Sequence, residues 1–98
     1  MTLRDILDDI HALTRDIEAY ERKYGVLSET FYRAYSAGEE PADDSWILDW
    51  AGWAGAYKTL LRRQEQYGRL MQAVEQESRS LGEVIAKAAR RELLPVAA

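Results

Sequence analysis

Apolar residues recur at Leu3, Ile6, Ile10, Leu13, Ile17, Tyr20 and Tyr24, with steps that alternate between three and four. That is the a/d spacing of an amphipathic helix with a narrow apolar seam. The positions between them are mostly charged, among them Arg4, Asp5, Asp8, Asp9, Arg15, Asp16, Glu18, Glu21 and Arg22. Thr2, with Asp5 three residues on, is a relative of the capping box that starts helices. Gly25 can take the left-handed conformation that ends one. The pattern predicts a helix over 3–24, roughly 33 Å long at a rise of 1.5 Å per residue.

A second, short helix is expected over 29–37. Ser28 is placed to be its N-cap, with Glu29 in the first turn and Gly38 at the end. Phe31, Tyr32 and Tyr35 give it an aromatic side. Two turns of helix do not persist alone, so its expected role is to cap the open end of a helical hairpin. Asp43, Asp44 or Ser45 begins a third helix. Its stripe runs through Trp50, Trp53, Tyr57, Leu60, Gln64, Tyr67, Met71, Val74, Ser78, Leu81, Ile85 and Ala88, again in steps of three and four. Followed literally, this helix spans 45–94 and stops before Pro95. Ser80-Leu81-Gly82-Glu83 reads as a second capping box and would break it near 80, leaving a fourth helix over 81–94. Because the heptad phase continues across that point, one continuous helix is the primary expectation.

The fold class that follows is all-α, a single elongated helical domain over 1–98. It consists of a helical hairpin, a short connecting helix and a long coiled-coil-like C-terminal helix. The lengths do not match. A helix over 3–24 pairs antiparallel with about 47–71, which leaves 72–92 without a partner although Val74, Leu81, Val84, Ile85 and Ala88 lie there. A stripe of that length wants cover. It can fold back, pair in a homodimer, or bind another protein. Gln64 and Ser78 interrupt the stripe at a-type positions, where polar residues fix register or mark the end of a partner helix.

Asp49-Trp50-Ala51-Gly52-Trp53-Ala54-Gly55-Ala56-Tyr57 is the least ordinary segment. A glycine inside a helix costs about 1 kcal/mol relative to alanine. Gly52 and Gly55 are therefore expected where another backbone approaches closely or where the Trp rings need space. Trp46, Trp50 and Trp53 fit two readings. One is an aromatic core near the helical turn, shared with Phe31, Tyr32 and Tyr35. The other is an accessible protein-binding surface. The candidate protein-binding residues are Trp50, Trp53, Tyr57, Val74, Leu81, Val84, Ile85 and Ala88.

Composition narrows the chemistry. The 98 residues include no cysteine and one histidine, which excludes disulfides, thiol catalysis, cysteine-held metals and multi-histidine sites. The net charge of −4 is unevenly spread: residues 1–49 carry 12 acids and 5 bases, residues 50–98 carry 5 acids and 8 bases. Two complementary helices within the chain would account for this, and so would an acidic surface that captures a basic partner. The later bases are scattered and mixed with glutamates, so no direct nucleic-acid binding is expected. The chain opens without an apolar signal core, and its most apolar stretch, 46–61, is too short for a span. No membrane insertion and a cytoplasmic location are expected. The expected partners are a second copy of the chain, a small basic protein, or both.

His11 has Asp8 three residues before it, a pair too common to make a metal site without further ligands. Glu18-x-x-Glu21 followed by Glu40-x-x-Asp43 looks like the paired acidic motifs of the all-helical, MazG-like nucleotide pyrophosphohydrolases. That resemblance implies magnesium-dependent hydrolysis on these four carboxylates. The second pair departs from the pattern because it straddles Pro41. No P-loop, dinucleotide fingerprint or nucleophile-with-base arrangement is present, and the expectation is a non-enzyme without metal or cofactor. Tyr24-Gly25, Ser28-Glu29, Phe31-Tyr32, Tyr35, Gly38-Glu39, Asp43-Asp44 and Trp50-Ala51 with Tyr57 form another pattern. It resembles short bacterial and cyanobacterial helical proteins encoded beside small putative toxins, and covers about residues 18–70. The resemblance implies an antitoxin-like or accessory role, binding and silencing a neighbour's product, and it carries over the aromatic hairpin of Phe31, Tyr32, Tyr35, Trp50 and Tyr57, which suits holding the fold as well as touching a toxin.

Overall fold

A computed structural model describes residues 1–89. These fold as α1 (Leu3–Tyr24), α2 (Ser28–Ser36), a 3-10 turn (Asp44–Trp46), α3 (Ile47–Gln76) and α4 (Leu81–Ala88). The fold is all-α, with the long helix packed against the first. The chain forms two compact units. One combines Met1–Ile10 with the described residues from Arg62 onward, and the other is His11–Leu61.

α1 has the predicted bounds, for local reasons. The Thr2 N–H and Oγ1 both donate to the Asp5 carboxylate (2.9 and 3.2 Å), and the Asp5 N–H donates back to Thr2 Oγ1 at 3.3 Å. This reciprocal box satisfies donors that a helix start leaves open. The backbone and side-chain bonds from Thr2 also hold the Asp5 carboxyl below its usual pKa. All seven residues of the predicted stripe are buried or half-buried. At the far end Gly25 has φ 78° and its N–H donates to the Glu21 carbonyl at 2.8 Å.

α2 starts one residue earlier than expected, and Ser28 is not its N-cap. That position belongs to Leu27, which supplies no side-chain cap. The first open donor is met from α1 instead: Ser28 N–H donates to Glu21 Oε2 at 2.7 Å, and the Ser28 hydroxyl donates to the same oxygen at 2.8 Å. Gly38, at φ 100°, ends the helix, and the Glu39 N–H returns to the Ala34 carbonyl at 3.1 Å.

α3 does not run to 94. It ends at Gln76, which corrects the expectation of one continuous helix. The Glu77 N–H turns back to the Val74 carbonyl and the Ser78 N–H to the Glu75 carbonyl. Ser78 Oγ also donates to the Val74 carbonyl at 2.6 Å. Ser80 then takes an extended conformation, accepts from the Glu83 N–H at 3.2 Å and starts α4. Glu83 in turn accepts from the Arg79 N–H. Local capping outweighs the continuing heptad spacing; among the described residues none beyond Val74 is fully buried. The predicted segment 90–94 lies outside the described residues. Lys87 ties α4 to the turn after α3, its Nζ donating to the Glu77 carbonyl at 2.6 Å and to Ser78 Oγ at 3.0 Å.

In the unit containing the first ten residues, Leu3, Ile6, Met71 and Val74 are buried. The expectation that everything after 71 lacks a partner is therefore corrected at Val74. Arg63 Nε pairs with Asp9 at 2.9 Å and its guanidinium also donates to Gln66. Within the His11–Leu61 unit, Tyr20 packs on Trp53 while Tyr24 reaches Trp46 and Asp49, so α1 and α3 run antiparallel there. Ile17, Phe31, Trp53, Ala54 and Leu60 are its buried apolar side chains.

Candidate functional site

Two places gather the candidate binding residues. The first is the aromatic cluster of the His11–Leu61 unit. Trp53 is its centre at 1% exposure. Phe31 stacks on it at 3.9 Å between centroids and 3° between planes, and Tyr20 and Tyr24 each lie at 5.7 Å and nearly parallel. Trp46 and Trp50 form a second, mutually parallel pair at 5.9 Å. The two sets are crossed: Tyr24 meets Trp46 at 86° and Phe31 meets Trp50 at 82°. Beside them lies a pocket of about 240 Å³ lined by Tyr24, Val26, Thr30, Phe31, Ala34, Glu39, Trp46, Trp50 and Trp53.

Polar bonds fix the cluster. Trp53 Nε1 donates to Ser28 Oγ at 2.8 Å, and the same hydroxyl donates to Glu21. A buried indole and a buried hydroxyl thus satisfy each other and a carboxylate. On the opposite side Asp49 accepts from Lys23 Nζ and Tyr24 Oη, both at 2.6 Å. The bond from Lys23, then that from Tyr24, holds the Asp49 carboxyl below its usual range. The same carboxylate raises the pKa of Lys23 and of the Tyr24 phenol. Asp43 is likewise lowered, by donation from the side chain and backbone of Ser45.

The second place is α4. None of its eight residues is buried, and Leu81 and Ile85, one turn apart, are 72% and 59% exposed. Val84 and Ala88 are half-buried.

The eight candidate binding residues therefore divide. Trp53 and Val74 are core and are not available to a partner as folded. Trp50 and Tyr57 are half-buried, the latter packed on Tyr32 at 5.3 Å. Leu81 and Ile85 are exposed, with Val84 and Ala88 beside them on α4. The glycine expectation is also modified. A Cβ on Gly52 would lie 2.7 Å from Tyr20 Oη, so it is a side chain, not a backbone, that claims the space. Nothing lies within 4 Å of the same position on Gly55.

The four carboxylates of the hydrolase-like pattern are not gathered. Glu18 and Glu21 share an open hollow of about 410 Å³ with Arg22, Gly25, Val26 and Leu27. Arg22 pairs with Glu18 at 3.2 Å, and Ser28 occupies Glu21. Asp43 is bonded to Ser45, and Glu40 is exposed. His11 and Asp8 are both exposed. Among the described residues no three His, Asp or Glu side chains converge as a metal site would require, and no helix is long and apolar enough to cross a membrane.

Sequence reasoning missed Glu21 and Asp49 as organisers of the cluster. Asp49 was legible only as the residue that opens the Trp-Ala-Gly segment, and Glu21 only as a charge on a polar helix face. No family model, curated protein or solved structure matches the chain.

Proposed function

We propose that this protein is a protein-binding helical module, an antitoxin-like inhibitor or accessory of a small basic partner. The observation that carries the reading is α4: a separately capped helix of eight residues that fully buries none of its side chains and presents Leu81 and Ile85 outward. So short a helix gains little from propensity and would be stabilised by a covered apolar face. The acidic balance of the first half favours a basic partner by electrostatic steering. The resemblance to helical proteins encoded beside small toxins supports the same role.

Co-expression with the product of the adjacent gene tests it. The expected result is a stoichiometric complex and relief of any growth arrest that product causes. Leu81→Glu combined with Ile85→Glu should abolish both while leaving the helical signal intact. No complex and no relief with the unaltered chain would overturn the reading.

The same exposed pair also suits a second copy of the chain across a two-fold axis, and this homodimeric, scaffold-like role is the second reading. Sedimentation of the isolated chain decides it. A dimer that the Leu81→Glu, Ile85→Glu variant converts to monomer supports it, and a monomer at every concentration rejects it.

A further inference from the structure

The pocket beside the crossed aromatic sets has a chemistry of its own. Five of the side chains that line it are aromatic: Tyr24, Phe31, Trp46, Trp50 and Trp53. Ring faces carry negative potential and attract cations, Trp most strongly. Glu39 adds a carboxylate to the lining. Between Glu39 and Asp49 the chain carries five acids and no base. Lys23 already places its ammonium 5.6 Å from the centroid of the Tyr24 ring, so the cluster accepts one cation from within the chain. Tyr24 donates its phenolic proton to Asp49, which enriches its ring in electron density. At about 240 Å³ the pocket is below the ~300–1,000 Å³ of sites that take drug-sized ligands, and suits one long side chain.

We infer that this aromatic pocket receives an arginine side chain from a basic protein partner, the guanidinium resting among Trp46, Trp50 and Tyr24 and pairing with Glu39. The inference rests on the protein-binding reading above. Arginine suits the site better than lysine. Its planar, weakly hydrated head stacks on aromatic faces, and its fork of donors matches a carboxylate.

The test is an NMR titration of the ¹⁵N-labelled chain with the blocked peptide Gly-Gly-Arg-Gly-Gly. The indole N–H resonances of Trp46 and Trp50 should shift, while that of Trp53, bonded to Ser28, moves little. Glu39 is exposed, so Glu39→Gln keeps the fold, and it should weaken binding about threefold at low salt. The citrulline peptide, equal in shape but uncharged, should produce no shift. No response to the arginine peptide, or an equal response to citrulline, overturns the inference. Preference for tetramethylammonium overturns it in favour of a small-molecule cation. If the co-expressed complex forms but the peptide does not bind, the pocket fails and the protein-binding reading stands. If the peptide binds but the chain forms no protein complex, the arginine has no source and the inference falls with that reading.

Discussion

Ser28 shows how much a single small side chain can organise. It is 2% exposed, its hydroxyl accepts from the Trp53 indole and donates to Glu21, and its N–H fills the same carboxylate. Ser28→Ala leaves the indole N–H buried without an acceptor, and should lower stability by about 1–3 kcal/mol in urea unfolding followed by Trp fluorescence. Asp49 is the electrostatic counterpart. Its depressed pKa means it contributes stability fully above its unfolded pKa of about 3.9, and that contribution is lost as pH falls through the lower folded value. Lys23 and Tyr24 have the opposite sign. Their raised pKa values contribute stability fully below about pH 10, which is lost as pH rises through the folded values. Asp49→Asn should therefore flatten the stability profile at both its acid and its alkaline end. A variant profile with either limb unchanged would disprove that assignment.

At the scale of the element, the bounds of α1 were readable because everything that sets them is local: a seam of apolar residues, a box at Thr2 and Asp5, a glycine at 25. The start of α2 was misread for the converse reason. Its first donor is satisfied by Glu21, on another helix, and no local signature marks that bond. The break after Gln76 is written in the sequence as Ser80 and Glu83, against a heptad spacing that counts positions without knowing what faces them. Which tryptophan is buried was not legible either, since Trp50 and Trp53 share the stripe, and what distinguishes Trp53 is the stacking of Tyr20, Tyr24 and Phe31 on it and its bond to Ser28. The glycines of α3 give a direct comparison. Gly55→Ala and Gly68→Ala meet nothing and should each raise stability by up to about 1 kcal/mol through helix propensity. Gly52→Ala must displace the Tyr20 phenol, whose ring is stacked on Trp53, so its gain should be absent or reversed. Thermal unfolding of the three variants side by side checks this, and an equal gain at all three would show that Tyr20 yields freely.

At the scale of the whole molecule, the long-range bonds matter most where they join distant stretches of chain. Asp9 and Arg63 are 54 positions apart, yet meet at 2.9 Å with the arginine side chain only 19% exposed. A double-mutant cycle with Asp9→Ala and Arg63→Ala should return a coupling of about 0.5–1 kcal/mol that shrinks as salt rises. No coupling would leave Arg63 as a packing residue alone. The expected fold class was legible as all-α, and the stripe correctly pointed to apolar surface left over near the end. It placed that surface too early, because Val74 is enclosed, and among the described residues after it Leu81 and Ile85 are the large apolar side chains that stand clear.

The division of the chain has a consequence for its birth. The segment His11–Leu61 is a compact unit made of consecutive residues, whereas Leu3 and Ile6 belong with residues from 62 onward. During synthesis residues 1–10 emerge before His11–Leu61 and must wait for the residues from 62 onward. At about 5–20 residues per second, the stretch from 62 to 88 takes on the order of one to five seconds to appear. Throughout that interval the aromatic unit can already be assembled while Leu3 and Ile6 remain bare. A nascent chain stalled once Leu61 has emerged would thus show an ordered tryptophan cluster beside a Leu3–Ile6 turn still open to proteases, and translation speed over the later part of α3 becomes a control on how long that opening lasts.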